Sequence, residues 1–459
     1  MNDTTPTPTR ATESQRQTGL ASAQGIDLDQ LGSITTHVQS WQTDGGTRVK
    51  FVHAPGLPML DLILSFRAGS AMDEQHAGRA ALTLHMLEEG VNGLDISQFA
   101  ERMEGHGAIV GKELRLERAI VSVRTLTSEA VLDPVITLFT DLVARPDFLA
   151  SALDKIKRQL RDHDAAHFKN SQVRADFEVY RHLYSGHPYA NFVGSTPEGI
   201  EALDIEALKD FHQRGYSANN LDLTLVGDVS RREAEALALR ISQALPQGWA
   251  AQEPPAVPQT QGTTLHIEQP AVVCSVQLGL PLLLQPDAAD YPALALASEV
   301  LGSGLDSRLM NALRQHHGLT YGIRSALNGL RASAMFNICW NVAPPQVQAS
   351  QTLVCELLES FIEQGPTEQE LQLARQKLAG RLLRGVARNQ SLAELLSLQS
   401  HLQLPEDYLQ TYLQVIAGIS TQQVRTAVQY HFDLTRRALV SVGPNVTQQP
   451  LPPRPAIDQ

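Results

Sequence analysis

Arg314 and Tyr321 stand seven positions apart in a stretch whose small residues decide how they are held. Gly302 and Gly304 open it, Ser307–Arg308–Leu309 follows, and Gly318–Leu319–Thr320 leads into Tyr321. The two early glycines allow backbone angles closed to other residues, which suits a tight, exposed entry into a helix. Leu305, Leu309, Ala312 and Leu313 then recur at helical spacing and give that helix one buried face. Gly318 ends it, and Thr320–Tyr321–Gly322–Ile323 begins a strand. A guanidinium offers a planar fork of donors and a phenol both a donor and an acceptor. Carried on a rigid helix–turn–strand unit, the pair suits gripping a peptide carbonyl. An Arg and a Tyr at this spacing also occur on ordinary protein surfaces, so residue types alone assign no role.

Other side chains with chemistry to offer are less organised. His163 and His167 lie one helical turn apart in His163–Asp164–Ala165–Ala166–His167, which reads as a solvated helix face. His316–His317 sits beside Arg314 and could line the same pocket, but adjacent residues point in different directions on a helix. Glu88–Glu89 follow His85 and read as surface charge, and His187–Pro188–Tyr189 reads as a turn. His76 and His106 have no partner at ligand spacing, and no phosphate-binding glycine loop or nucleophile elbow is present.

The elements that must position these groups form a repeating pattern. Val49–Val52 and Leu60–Phe66 read as strands around a Gly56–Leu57–Pro58 turn, with helices over Gly78–Glu89, Ile96–Met103 and Leu132–Val143 and a strand over Arg118–Val123. Ser151 and Asp154 resemble a capping box opening a long helix past Lys169. A helix over Ile205–Arg214, a strand over Leu221–Val226 and a helix over Arg231–Leu245 complete the half. Pro254, Pro255 and Pro258 among Gln, Ala and Gly mark 247–262 as a linker. The order then starts again: strand Val272–Leu280, helix Tyr291–Leu301, the Arg314 helix, strand Met335–Asn341, helix Val347–Glu363, a capping box at Thr367 and Glu370 with a helix to about Asn389, and strand Ala438–Val442. Two halves with one order of elements imply a duplicated domain. The expected organisation is a disordered tail over 1–40, a first domain over 41–246, the linker, a second domain over 263–446 and a tail over 447–459. The expected fold class is α+β, each domain a mostly antiparallel sheet with helices on one face.

At 459 residues the chain exceeds a single ordinary core. Its net charge of -12 argues against nucleic acid as the main partner, because phosphate contacts need basic surface. No stretch approaches the roughly 20 apolar residues a membrane span needs. The three cysteines lack CxxC spacing, and Cys274 and Cys339 fall in apolar strands, so buried free thiols are expected. The N-terminal residues carry no apolar signal core, which makes a cytoplasmic location the default, and a periplasmic one follows if a leader precedes this sequence.

The ordered run Gly302, Gly304, Ser307–Arg308–Leu309, Arg314, Gly318–Leu319, Tyr321 resembles the second-domain substrate-binding motif of the insulinase/pitrilysin-like (inverzincin) zinc peptidases, which include the mitochondrial processing peptidases. The resemblance extends from about residue 45 to 445. It implies two domains closed on each other like a clamshell, with Arg314 and Tyr321 holding substrate or stabilising the oxyanion.

Active members of that family carry H-x-x-E-H on a helix and a distant Glu on a later one. Residues four apart share a helical face, so two imidazoles can bind one ion while the intervening Glu activates its water. Matching the family's second His to His85 puts Ala81 at the first His and Leu84 at the catalytic Glu, while Arg161 falls at the distant ligand, with Asp162 one residue on. One His cannot hold a catalytic zinc, so no metal or other cofactor is expected on this chain. The resemblance therefore implies the non-zinc subunit of a heterodimer. Its partner is a homologous zinc-bearing peptidase chain and its substrate a peptide or unfolded protein. The alternatives are a non-enzymatic peptide-binding or scaffold protein, like the core subunits of respiratory complexes that resemble this family, and a metallopeptidase with substitute ligands such as His85, His163 and Asp162.

Overall fold

The computed structural model describes residues 31–191, 195–248 and 252–453. The first half contributes β1 (Gln39–Gln42), β2 (Arg48–His53), β3 (Met59–Phe66), a short hairpin β4 (Gly90–Val91) and β5 (Leu94–Asp95), then β6 (Ile109–Leu114), β7 (Ala119–Leu126) and β8 (Leu221–Gly227). The second contributes β9 (Thr263–Glu268), β10 (Cys274–Leu282), β11 (Ile323–Gly329), β12 (Ala334–Val342) and β13 (Ala438–Gly443). The two large sheets run β1-β2-β8-β3-β7-β6 and β11-β12-β10-β13-β9. Read from the other end, the second is β9-β13-β10-β12-β11, the first sheet's order without β1. In each, one pair is parallel and joins an early strand to the last, β2 with β8 and β9 with β13, and the remaining pairs are antiparallel. The expected α+β duplication is borne out in strand order and direction.

The central strands explain how the halves are joined. β3 and β10 are apolar along nearly their whole length and almost entirely buried, as strands covered on both faces must be. One face lies under helices of the same half. The other takes a helix from the opposite half. The Ser171–Leu183 helix lies on β10 and β13, where Ala175, Val179 and Leu183 share a core with Met335, Val440 and Val442. The Asn389–His401 helix lies on β3 and β8 in return, with Leu392, Ala393 and Leu396 in a core with Ile63 and Val226. The approach is closest at Gly279, where a Cβ would come within 2.3 Å of the Val179 side chain. Each buried Val or Leu contributes about 1.5–3 kcal/mol, so the exchange stabilises the junction of the halves.

A polar network lies in the same junction. Glu117, on the β6–β7 turn, is buried and accepts from Tyr189 Oη, from His401 Nε2 at 2.9 Å and from the Arg331 backbone N–H at 3.1 Å. Asp222 on β8 receives a bidentate Arg48 guanidinium at 2.7 and 3.0 Å and the Ser400 hydroxyl.

Several boundaries differ from expectation. Residues 1–30 of the expected N-terminal tail lie outside the described residues, but Ile34 is buried in the second half's core and Gln39–Gln42 pairs with β2, so the fold starts before residue 41. Ser151 and Asp154 make no capping box; the helix is Ala150–Phe168 and Leu149 caps it without a side-chain bond. The Thr367–Glu370 box is present. β10 begins at Cys274, with Val272 left 92% exposed in the preceding turn. Cys274 and Cys339 are buried free thiols, as expected, and Cys355 is half-buried. Among the described residues no helix is long and apolar enough to cross a membrane.

Candidate functional site

The turn that carries Arg314 is braced from three sides. The Tyr291–Gly302 helix ends against β11, where a Cβ on Gly302 would sit 2.4 Å from the Ser325 backbone nitrogen. Gly304 has φ +85°, a left-handed angle that glycine adopts without strain. Arg308 is bidentate to Glu370 at 2.7 and 2.8 Å, donates to the Gly365 carbonyl at 2.9 Å and lies over the Phe361 ring, so this arginine anchors the turn to the next helix cap.

Beyond it the backbone widens into a π-helix over Asn311–His316, a geometry often found at functional sites. Gly318, at φ +61°, closes the helix, with its N–H on the Arg314 carbonyl and the Leu319 N–H on that of Leu313. Arg314 Nη1 donates to the Tyr321 carbonyl at 3.1 Å, and Thr320 Oγ1 bonds both the N–H and the carbonyl of Gly322. The two expected residues are thus brought together on one loop. Tyr321 is 94% exposed, and its side chain reaches no described residue. The remaining N–H groups of Arg314 also reach no described residue, so the pair points outward as a free donor set. His317 Nδ1 lies 3.0 Å from the Pro452 carbonyl, which fastens the C-terminal stretch to the end of this helix. His316 is exposed.

The positions that the resemblance matches to the family's metal motif are equally legible. His85, on the Arg79–Met86 helix, lines a cavity of about 320 Å³ with Ala81, His163, Asp164, His167 and Asp176. Asp73 holds the start of that helix by accepting from the N–H groups of Gly78 and Ala80, and burial pushes its carboxyl up to about 7. Ala81 offers a methyl group, and Leu84 belongs to the apolar core. Burial, then the cation of Lys112, lower the His85 pKa.

On the Ala150–Phe168 helix the cavity face is Leu160, His163, Asp164 and His167, spaced i, i+3, i+4 and i+7. Arg161 lies a quarter-turn away and pairs with Glu201 at 2.9 Å, so Asp164 rather than Arg161 faces His85's cavity. Asp164 accepts from Ser195 Oγ. His163 and His167, expected on a solvated face, line the mouth of this cavity with ring centres 5.0 Å apart. Among the described residues no three His, Cys, Asp or Glu side chains converge to hold a metal ion. The donor set does not fit a catalytic zinc: His85 has no second ligand on its own helix, the His163 and His167 rings lie against each other, and Asp164 is engaged by Ser195, so the three-ligand cage that such an ion needs is not formed among the described residues.

A larger cavity was not anticipated. About 590 Å³ in volume, it lies between the inner faces of β3, β6 and β7 and the Asn389–His401 helix. Asp61 and Ile63, Ile109, Gly111 and Glu113, and Ile120, Ser122 and Arg124 reach it at strand period two, while Gln390, Ala393, Glu394, Ser397 and Leu398 reach it at helical spacing. β6 bounds it and is the edge of its sheet. Alternation along β7 was visible in the sequence; the helix that faces it begins only at Asn389, and nothing local announces it.

Two sheets of one topology, exchanged helices, a histidine-lined cavity in the first half and a braced glycine-rich turn in the second define a two-domain α+β chain. Comparison with known proteins gives the family. Residues 202–378 match the peptidase M16 inactive domain. The crystal structure of a peptidase M16 inactive domain from Pseudomonas fluorescens superposes with a TM-score of 0.87 at 34% identity, covering 90% of this chain and 100% of that one. The chain belongs to the peptidase M16 family, and the resemblance to insulinase/pitrilysin-like peptidases is borne out. It is 25% identical over 382 residues to the non-peptidase homolog YmxG of Helicobacter pylori, spanning 82% of this chain and 87% of that one. It is 24% identical over 434 residues to an uncharacterized zinc protease of Mycobacterium leprae, spanning 89% and 92%.

Proposed function

We propose that this chain is the non-catalytic subunit of a heterodimeric zinc peptidase, supplying substrate binding and oxyanion stabilisation to a homologous zinc-bearing partner. The observation that carries the reading is a contrast within one molecule. Arg314 and Tyr321 stand free on a braced turn, while His85 has no second ligand on its own helix and a cation beside it.

The partner's zinc supplies the activated water. This chain's residues hold the peptide. The edge of β6 offers unpaired backbone groups to which an extended segment can add as a further strand, beside the large cavity. Arg314 and Tyr321 donate to the carbonyl oxygen as negative charge develops on it. Donors of this kind lower a barrier by roughly 2.7–4 kcal/mol, so a subunit without a metal is still indispensable to the rate. That a Helicobacter pylori relative is described as a non-peptidase homolog supports an inert isolated chain.

The test is reconstitution. The purified chain is expected to cleave no peptide alone. With a homologue carrying an intact H-x-x-E-H, it is expected to give cleavage that a chelator abolishes. A scaffold role, the competing reading, instead leaves the mixture no more active than the zinc chain alone.

A further inference from the structure

We propose that the cavity between β3, β6, β7 and the Asn389–His401 helix is a receptor for a carboxylate of the bound peptide, with Arg118 as its cationic centre. The proposal rests on the peptide-holding reading above and names the chemistry of what is held.

Among the cations that line the cavity, all but one are paired with a carboxylate. Arg124 is bidentate to Asp61 at 2.9 and 3.0 Å. Arg115 pairs with Glu113 at 2.5 Å, and Lys112 with Glu88 at 2.8 Å. Glu394 accepts from Gln390 at 3.1 Å. Arg118 lines the same cavity half-buried, and its guanidinium has no hydrogen-bonded or ion-paired partner among the described residues. The carboxylates near enough to feel its charge are Glu113, Glu117 and Asp222. Each is already engaged, by Arg115, by His401 and Tyr189, and by Arg48 and Ser400 respectively. Burial, and then the like charge of Arg115, lower the Arg118 pKa, the signature of a cation short of a counter-ion.

A second orphan lines the cavity. Ser397 is 2% exposed, and its hydroxyl has no hydrogen-bond partner among the described residues. A half-buried guanidinium and a buried hydroxyl, both without partners on the walls of one cavity, favour an anionic guest that accepts hydrogen bonds. The fork of an arginine matches a carboxylate in bidentate geometry. A dianion such as phosphate meets Asp61, Glu113 and Glu394 on the same walls, so a single negative charge fits better. Arg118 is also rigidly set. It immediately precedes β7, in a turn closed by the Arg115 N–H on its own carbonyl at 2.7 Å, and Gly69 packs so close that a Cβ there would lie 2.3 Å from the Arg118 nitrogen.

The carboxylate can be a peptide C-terminus or an acidic side chain, and one experiment separates them. Affinity of the full chain is measured by fluorescence anisotropy for four versions of a labelled eight-residue peptide: free acid, C-terminal amide, and the amide with one internal Glu or Gln. The expected result is about tenfold tighter binding of the free acid than of the amide, or of the Glu than of the Gln peptide, the arm that responds naming the source. Arg118→Gln is expected to erase that preference and leave affinity for the neutral peptide unchanged, while Arg118→Lys retains part of it. Equal affinity of the unmodified chain for charged and neutral peptides overturns the inference whatever the variants do, and leaves the peptide-holding reading intact. A preference that survives Arg118→Gln also overturns it. Failure of every peptide to bind overturns both readings.

Discussion

Glu117 and His401 are 284 positions apart in the chain and 2.9 Å apart in space, one on the β6–β7 turn of the first half and the other at the end of a helix of the second. The bond and the burial around it act together on the protonation of both. Burial would raise the Glu117 carboxyl, but His401, with Tyr189 and the Arg331 N–H, outweighs it and holds the pKa below the usual carboxylate range. Burial also lowers the His401 imidazole more than Glu117 raises it, so His401 is neutral, donating from Nε2 and leaving its buried Nδ1 without a partner.

Both groups therefore bind protons less readily folded than unfolded, and the sign for each is the same. Their contribution to stability is complete above the ordinary histidine value of 6.5 and declines as pH falls, first as unfolded His401 takes up a proton and then, near 4.5, as unfolded Glu117 does. Asp73, whose carboxyl burial raises to about 7, acts with the opposite sign in this range, so the readout is a difference: the stability of the unmodified chain relative to His401→Gln is expected to decline as denaturant melts are taken from pH 7.5 to 4.5. Glu117→Ala leaves the Tyr189 hydroxyl, the His401 Nε2–H and the Arg331 N–H without their acceptor and is expected to cost at least about 1–3 kcal/mol at pH 7.5.

The exchange of helices gives a second prediction. Gly279→Val puts a branched side chain where even a Cβ meets Val179 at 2.3 Å and Leu183 at 3.1 Å. Overpacking there is expected to cost about 1–3 kcal/mol. Adding Val179→Ala is expected to recover part of the loss, a coupling that urea denaturation of the two single variants and the double variant measures.

The cavity at His85 gives a third. Metal analysis of the chain after equilibration with zinc and gel filtration is expected to find far less than one ion per chain, and His85→Ala is expected to change neither that content nor the activity of the reconstituted pair. Stoichiometric zinc that disappears with His85→Ala points instead to substitute ligands from the cavity face of His163, Asp164 and His167.

Much of this was readable in the sequence, and the reasons differ from one element to the next. Leu60–Phe66 and Ala438–Val442 declare themselves as apolar runs that end in turns, and the structure places strands at Met59–Phe66 and Ala438–Gly443. The repeat of element order foretold one topology twice. Arg314 and Tyr321 were visible because glycines punctuate them locally. What stayed hidden depends on contacts between distant parts of the chain. Neither Ser171–Leu183 nor Asn389–His401 says which sheet it will cover. Arg118 looked like one more strand residue, and its significance appears only once the carboxylates around it are seen to be taken. Ser151–Asp154 had the letters of a capping box but lies inside the first turn of its helix, where the chain enters through Leu149.

The most direct measurement of the central claim is kcat/KM for peptide cleavage by the chain mixed with a zinc-bearing homologue, with and without Arg314→Ala. Both Arg314 and Tyr321 are exposed, so the variants Arg314→Ala and Tyr321→Phe are expected to keep stability within about 0.5 kcal/mol and to sediment with the partner as the unmodified chain does. Arg314→Ala is expected to lower the mixed rate by about 10²–10³-fold, as the loss of an oxyanion donor does. A mixed rate unchanged by Arg314→Ala, or zinc-dependent cleavage by this chain alone, contradicts the account.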